Sequence, residues 1–256
     1  MIHDRAVVDP SAELADDVEI GPFSVIGADV QIDSGTVIGP HVVIQGPTRI
    51  GRGNRIHQFC AIGEGPQDTG YSGEETRLEI GDNNTFREFC TVNRATTKED
   101  WVTRVGSNNW IMAYVHIAHD CKVGDHAIMA NAATLAGHVE VGDHVVLGGF
   151  SKVHQFCRVG DHAFCGMDTG IKGDVPPYLM VSGIPARPKG LNAVGLRRRG
   201  FDRNAIRELR SVYRTLYRSG LRLEEAMERL DQQTDPCPEV IRMREFIREA
   251  RRSIVR

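Results

Sequence analysis

The 256-residue chain predicts a parallel β-helix of about eight three-sided coils, followed by a small basic α-helical domain. Three observations carry this. An apolar residue recurs at every sixth position through most of residues 8–171, glycine follows many of those positions, and beyond residue 190 the pattern gives way to helical stripes rich in arginine.

The period begins at Val8 and runs through Leu14, Ile20, Ile26, Ile32, Ile38, Ile44, Ile50, Ile56 and Ile62. It resumes at Ile80, Phe86 and Val92, then runs from Val105 to Ile171. A period of six matches neither a 3.6-residue helical stripe nor a long strand. It matches very short strands joined by turns, three to a coil, with coils stacked at the ~4.8 Å spacing of a sheet. The glycines after these stations, such as Gly21, Gly51, Gly81 and Gly106, are expected to supply backbone angles denied to other residues. Two positions before each station the side chain is mostly small or β-branched, as at Val18, Val30, Val115 and Ala127. Cys60, Cys90, Cys121 and Cys157 share that slot and Cys165 is a station, so buried packing is expected for them.

The period pauses twice. The first pause, 64–79, preserves phase; the second, 94–104, costs one extra residue. A solenoid that extrudes a loop commonly uses it, and the first loop brings Asp68 out of the prism. After Ile171, the segment GDVPPYLMVSGIPARPKG cannot continue the coils. Asp202 then caps an expected helix with the stripe Ile206, Leu209, Val212/Tyr213 and Leu216/Tyr217, stopped at Gly220. A helix over Leu223–Leu230 follows, and Pro238 opens a last one expected to bury Val240, Met243, Ile247 and Ile254. The expected division is thus 1–190 for the repeats and 191–256 for the helices. The helical part is too small to stand alone and is expected to lean on a neighbouring subunit. Flat prism faces favour symmetric association, a trimer first.

Composition narrows the setting. No apolar run approaches the ~20 residues of a membrane span, and the opening residues lack a basic segment followed by an apolar core, so no secretory leader is expected. Six cysteines show no CxxC pair, which suits a reducing cytoplasm. Residues 191–256 hold 16 Lys/Arg against 10 Asp/Glu, and residues 1–190 hold 15 against 24. The basic end is expected to meet an acidic partner.

The histidines fall into two sets. His126, His144 and His162 recur every 18 residues in VGDH turns and are expected to form an exposed column at a corner. His119, His138, His154 and Gln155 stack on one strip across three successive coils, with His116 close by. Such a strip suits zinc binding or general base catalysis. No histidine pairs with a cysteine at a metal-like spacing, so a base is favoured and no metal is expected.

These residues resemble a known family. The hexad period, AYVHIAHDC (113–121), TLAGHVEVGD (134–143), VHQFCRVG (153–160), DVPPY (174–178) and GLRRRGF (195–201) are similar to those of the UDP-N-acetylglucosamine O-acyltransferases. The resemblance covers essentially the whole chain. It implies a homotrimer of left-handed parallel β-helices with active sites in the grooves between subunits. It also implies transfer of an (R)-3-hydroxyacyl chain from acyl carrier protein to the glucosamine 3-hydroxyl of UDP-N-acetylglucosamine, the first step of lipid A synthesis. By the resemblance, His119 is the general base, Asp68 the carboxylate that orients it, and the Gly137 N–H the oxyanion donor. Substrate contacts carry over to Gln67, His116, His138, His154, Gln155, Asn192 and Arg199. The implied setting is cytoplasmic. The acyl group arrives on the carrier's phosphopantetheine without a further cofactor, and neither nucleic acid nor a membrane span is involved. Arg197 and Arg198 are candidates for docking the acidic carrier.

The chain departs from the family at two places. Gly70 stands where close relatives usually carry lysine, and NRAT (93–96) where many read HRGT. A 3-amino analogue of the sugar is therefore an alternative acceptor. Met167 stands where long-chain members have glycine, which points to a hydroxydecanoyl-length donor. A γ-class carbonic anhydrase is a distant alternative on the same fold.

Overall fold

The computed structural model describes residues 1–256. Three parallel sheets form the walls of a prism. The first has nine strands, from Val7–Val8 to Gly170–Ile171; the second has eight, from Glu13–Leu14 to Arg158–Val159. The third has ten, from Glu19–Ile20 to an antiparallel closing pair, Leu179–Ser182 with Arg187–Leu191. Successive strands go to successive sheets, so each coil turns three corners. The register between coils is constant where the period is: Val7 pairs with Val25, and Thr134 with Lys152.

Every station from Ile20 to Ile171 is buried; Val8 and Leu14, in the first coil, are only partly so because no coil lies beneath them. Cys60, Cys90, Cys121, Cys157 and Cys165 are buried and free. Burial pushes the Cys121 and Cys165 thiols up to about 12, which leaves them inert as nucleophiles.

The corners work differently from expectation. Most glycines that follow a station do not have positive φ; non-glycine residues three positions after a station do, among them Phe23, His41, Asp120, His138 and Phe156. Glycine is needed for closeness instead. A Cβ on Gly51 would lie 2.8 Å from the carbonyl oxygen of Gly81, and one on Gly81 would lie 2.8 Å from that of Gly106. The left-handed corner residues are strained by chirality, and many share that cost with stacked rings. At the corner between third and first sheets, Phe23, His41, Phe59, Phe89 and Tyr114 stack with centroids 4.9 to 5.3 Å apart.

Inside the prism the small slot is also polar in places. Asn54, Asn84 and Asn109 form a buried ladder in which Asn54 Oδ1 accepts from the Asn84 N–H (2.9 Å), and Asn84 Oδ1 from the Asn109 N–H (2.9 Å).

Both loops are shorter than the pauses suggest. Residues 65–76 bulge out between Ala61–Glu64 and Arg77–Ile80, and residues 94–101 between Thr91–Asn93 and Val102–Val105. Arg77–Ile80 pairs along its length with Val102–Val105, so the strands absorb part of each pause. Both loops leave the first sheet and return to the second, at one and the same corner.

Four helices follow: α1 (Ala193–Arg198), α2 (Arg203–Arg218), α3 (Leu223–Asp231) and α4 (Pro238–Arg248). Asp202 caps α2 through its side chain, accepting from the Asn204 N–H at 2.8 Å, and Gly220 beyond α2 has φ of +76°. Ile254 lies outside α4; it bridges to Asp174 beneath the last coil. One hydrophobic cluster of 56 residues includes both coil stations and Leu196, Leu209, Leu216, Met243 and Ile247. The helices thus pack against their own prism.

Candidate active site

His119 occupies the turn between the first and second sheets, the corner at which both loops emerge. Its Nδ1 lies 2.8 Å from Asp120 Oδ2. Asp120 has φ of +60°, and its carboxylate is buried. That carboxylate also accepts from the Thr96 N–H (3.1 Å) and hydroxyl (2.7 Å), while the Asp120 N–H donates to Thr103 Oγ1 at 2.8 Å. Burial alone pushes the Asp120 carboxyl up, but the hydrogen bonds from His119 and Thr96 outweigh it and the net shift is downward. An ionised carboxylate only accepts, so the His119 proton sits on Nδ1 and Nε2 is left as a base.

The next coil covers this ring. A Cβ on Gly137 would fall 2.5 Å from His119 Cε1 and 2.8 Å from Nε2, so glycine at 137 makes room for the imidazole. The Gly137 N–H donates to no acceptor within the chain. His138 is buried, edge-on to His119 at 5.2 Å and stacked on Phe156 at 4.4 Å. Its Nδ1 lies 3.4 Å from Glu99 and its Nε2 3.7 Å from Asp120. His154 and Gln155 are exposed on the same corner one coil further. His116 precedes it in the strand His116–Ile117, with Nδ1 2.7 Å from the Thr91 hydroxyl; burial, then the neighbouring His119, lowers its proton affinity.

Asp68 does not hold His119 as expected. The hydrogen-bonded carboxylate is Asp120, whose left-handed turn brings it against the preceding ring. Asp68 sits in the first loop and accepts from Lys98 Nζ (2.5 Å) and the Gly70 N–H (2.8 Å), which hold its carboxyl below the ordinary range. It remains close enough for the His119 charge to act on it. Gln67, beside it, is exposed. Sequence reasoning missed Asp120, Thr96, Lys98 and Glu99. The HD pair at 119–120, with Asp120 18 residues before His138, was a usable signal for the first; nothing in the sequence ties the others to this corner.

Other expected residues lie elsewhere in the chain. Asn192 caps α1, accepting from the Gly195 N–H, and donates to the His162 carbonyl at 2.9 Å. Arg199 donates to the His144 carbonyl at 3.2 Å. Both therefore belong to the corner between second and third sheets, where His126, His144 and His162 stack at 4.6 and 4.7 Å. That column is not uniformly exposed: His162 is half-buried beneath Phe201, and burial with its charged neighbours lowers its pKa to about 4. Arg197 and Arg198 are exposed. Met167, 77% exposed at the third corner, fills no core gap. A groove of about 710 Å³ lies between the second sheet and α4 and takes in none of these imidazoles.

His119, Asp120 and His138 place a potential metal ligand atom from each within 4.8 Å of one another. His119 Nδ1 and both Asp120 oxygens are engaged with one another or with Thr96, while the buried His138 Nδ1 has no hydrogen-bond partner.

Comparison with known proteins identifies the family. Residues 174–255 match the family model described as Udp N-acetylglucosamine O-acyltransferase, domain 2, and residues 103–137 match the bacterial transferase hexapeptide model. The acyl-[acyl-carrier-protein]–UDP-N-acetylglucosamine O-acyltransferase of Halorhodospira halophila is 59% identical over 100% of this chain and 99% of its own. That of Thiobacillus denitrificans is 54% identical over the same shares. The structure of the Francisella novicida UDP-N-acetylglucosamine acyltransferase superposes with a TM-score of 0.97 at 44% identity, covering 100% of this chain and 94% of that one. The prism is accordingly a left-handed parallel β-helix. Identity of this order along the full length, with an imidazole–carboxylate pair at an open corner of a hexapeptide prism, makes the chain a member of the UDP-N-acetylglucosamine O-acyltransferase family.

Proposed function

We propose that the chain is an acyl-[acyl-carrier-protein]–UDP-N-acetylglucosamine O-acyltransferase that moves an (R)-3-hydroxyacyl chain to the sugar 3-hydroxyl, the first step of lipid A synthesis. The observation that carries the mechanism is the His119–Asp120 pair. With Nδ1–H donated to Asp120, His119 Nε2 takes the hydroxyl proton as the oxygen attacks the thioester carbonyl. The Gly137 N–H, free within the chain, donates to the oxyanion. Collapse breaks the C–S bond, and His119 returns its proton to the departing phosphopantetheine thiol. No covalent enzyme intermediate and no further cofactor enter this scheme.

Asn192, Arg199 and Met167 lie on corners other than that of His119, which supports a site completed by a second copy and hence a symmetric trimer. A charge pattern supports carrier docking by the helices. Arg203, Arg207, Arg210, Arg214 and Arg218 fall on one face of α2, and none makes an ion pair within the chain. They extend the exposed Arg197 and Arg198. No helix is long and apolar enough to cross a membrane, and buried free thiols suit the cytoplasm, where acyl carriers work. The relatives' names favour the hydroxyl over the 3-amino acceptor.

The test is an acyl-transfer assay crossing both acceptors with hydroxydecanoyl and hydroxymyristoyl carrier protein. The sugar hydroxyl and the shorter chain should react faster, and Met167→Gly should shift preference to the longer. His119→Ala should lose roughly 10²–10⁴-fold in rate with the fold intact. Retained turnover would remove His119 from the role.

A further inference from the structure

Asp120 holds the base, and its carboxylate can turn about its own axis unless further donors fix it. Three donors do so. His119 Nδ1 and the Thr96 hydroxyl meet Oδ2 at 2.8 and 2.7 Å, and the Thr96 N–H lies 3.1 Å from each oxygen. Two of the three come from one residue of the second loop. Thr96 is 3% exposed and Asp120 2%, so bulk water does not compete for the carboxylate.

Thr96 is itself held. The Lys98 N–H donates to its hydroxyl oxygen at 3.2 Å, which leaves the hydroxyl proton for Asp120. The carbonyl of the preceding Ala95 accepts from the Thr76 hydroxyl at 2.5 Å, at the end of the first loop. The Arg94 guanidinium donates to the Gly46 and Gly63 carbonyls at 2.6 and 2.7 Å. Beyond the second loop, Thr103 Oγ1 accepts from the Asp120 N–H at 2.8 Å. Residues flanking the loop tip thus grip Asp120 at both its carboxylate and its backbone.

We propose that Thr96 is a positioning residue for the acyl transfer: its hydroxyl and N–H fix the plane of the Asp120 carboxylate, so that Oδ2 stays on the His119 Nδ1–H and the ring stays aimed at the acceptor hydroxyl. This rests on His119 as the base. A side chain that only filled space at 96 would be replaced well by valine, which has nearly the same shape. Valine instead removes a donor from a buried carboxylate, and the oxygen left short is costly. Serine keeps both bonds.

The experiment is steady-state kinetics of the full-length enzyme and its Thr96→Val, Thr96→Ser, Asp120→Ala and Thr96→Val/Asp120→Ala variants. Alanine suits position 120, since Ala132 takes the same left-handed conformation at another corner, with φ of +59°. Thr96→Val should lower kcat by about 10- to 10²-fold, the scale of a misplaced catalytic group, with KM for the nucleotide sugar nearly unchanged. Thr96→Ser should restore most of that loss. In the Asp120→Ala background the valine should change kcat by less than about twofold, because nothing is left to position. Thr96→Ala, which also lacks the hydroxyl, carries the same comparison if valine unfolds the corner. An unchanged kcat in Thr96→Val, a loss that serine does not restore, or an equal loss without Asp120 would overturn the proposal. Retained turnover in His119→Ala would instead remove the base assignment, so that variant tells the two failures apart.

Discussion

At the scale of single residues, the chemistry depends on fit around one imidazole. Gly137 has an ordinary φ, so its identity is a matter of space rather than backbone freedom. In Gly137→Ala the new methyl meets His119 Cε1, and either the ring tilts off Asp120 or the turn opens. Misplacing a catalytic group by ~1 Å costs on the order of 10²-fold. The expected result is a drop in kcat of about that size with a near-wild-type circular dichroism spectrum; an unchanged kcat would show the corner to be more pliant than its contacts imply. Asp120 teaches a related lesson. A left-handed turn folds this side chain back onto its neighbour's ring, while Asp68, expected in that place, is held by Lys98.

At the scale of elements, two-residue strands cannot hold together by themselves; the coils are joined by wall hydrogen bonds, buried stations and the asparagine ladder. Asn84 is its middle rung. Its Nδ2 donates to Asn54 Oδ1 (3.0 Å) and to the Gly106 carbonyl (2.9 Å), and its Oδ1 accepts from Asn109. Asn84→Ala leaves buried groups unpaired on both adjoining coils, at a cost of roughly 2–3 kcal/mol. The midpoint of urea denaturation should fall accordingly; a midpoint within error of wild type would mean that water or a shifted coil replaces the rung. The sequence pattern located this slot as small and inward but did not show the ladder, because hydrogen bonds between coils depend on which turns stack.

At the scale of the whole molecule, the acidic prism and the arginine-rich helices divide two tasks. The prism holds the acid–base pair, and the face of α2 presents unpaired cations to solvent. Reversing charge at Arg210 and Arg214 together should raise KM for the acyl carrier protein several-fold at low ionic strength. It should leave kcat and KM for the nucleotide sugar nearly unchanged, and the effect should fade as salt rises. An equal KM for the carrier in variant and wild type would place docking elsewhere. Scale also explains why the candidate residues do not all meet in one chain. A prism has three corners, and His119, Arg199 and Met167 stand on different ones, so only association can bring such corners together.

The sequence by itself determined the repeat, the inward stations, the corner on which the histidines stack, the cap of α2 and the proline that opens α4, because a period of six leaves one way to bury an aliphatic at every station. It also held the family in several ordered motifs. Only the tertiary structure decided which carboxylate holds His119, why glycine follows the stations, and that two loops separated by a full coil open at one corner. Those outcomes depend on what lies one coil above or below, and stacking places side by side residues whose separation along the chain changes with every loop.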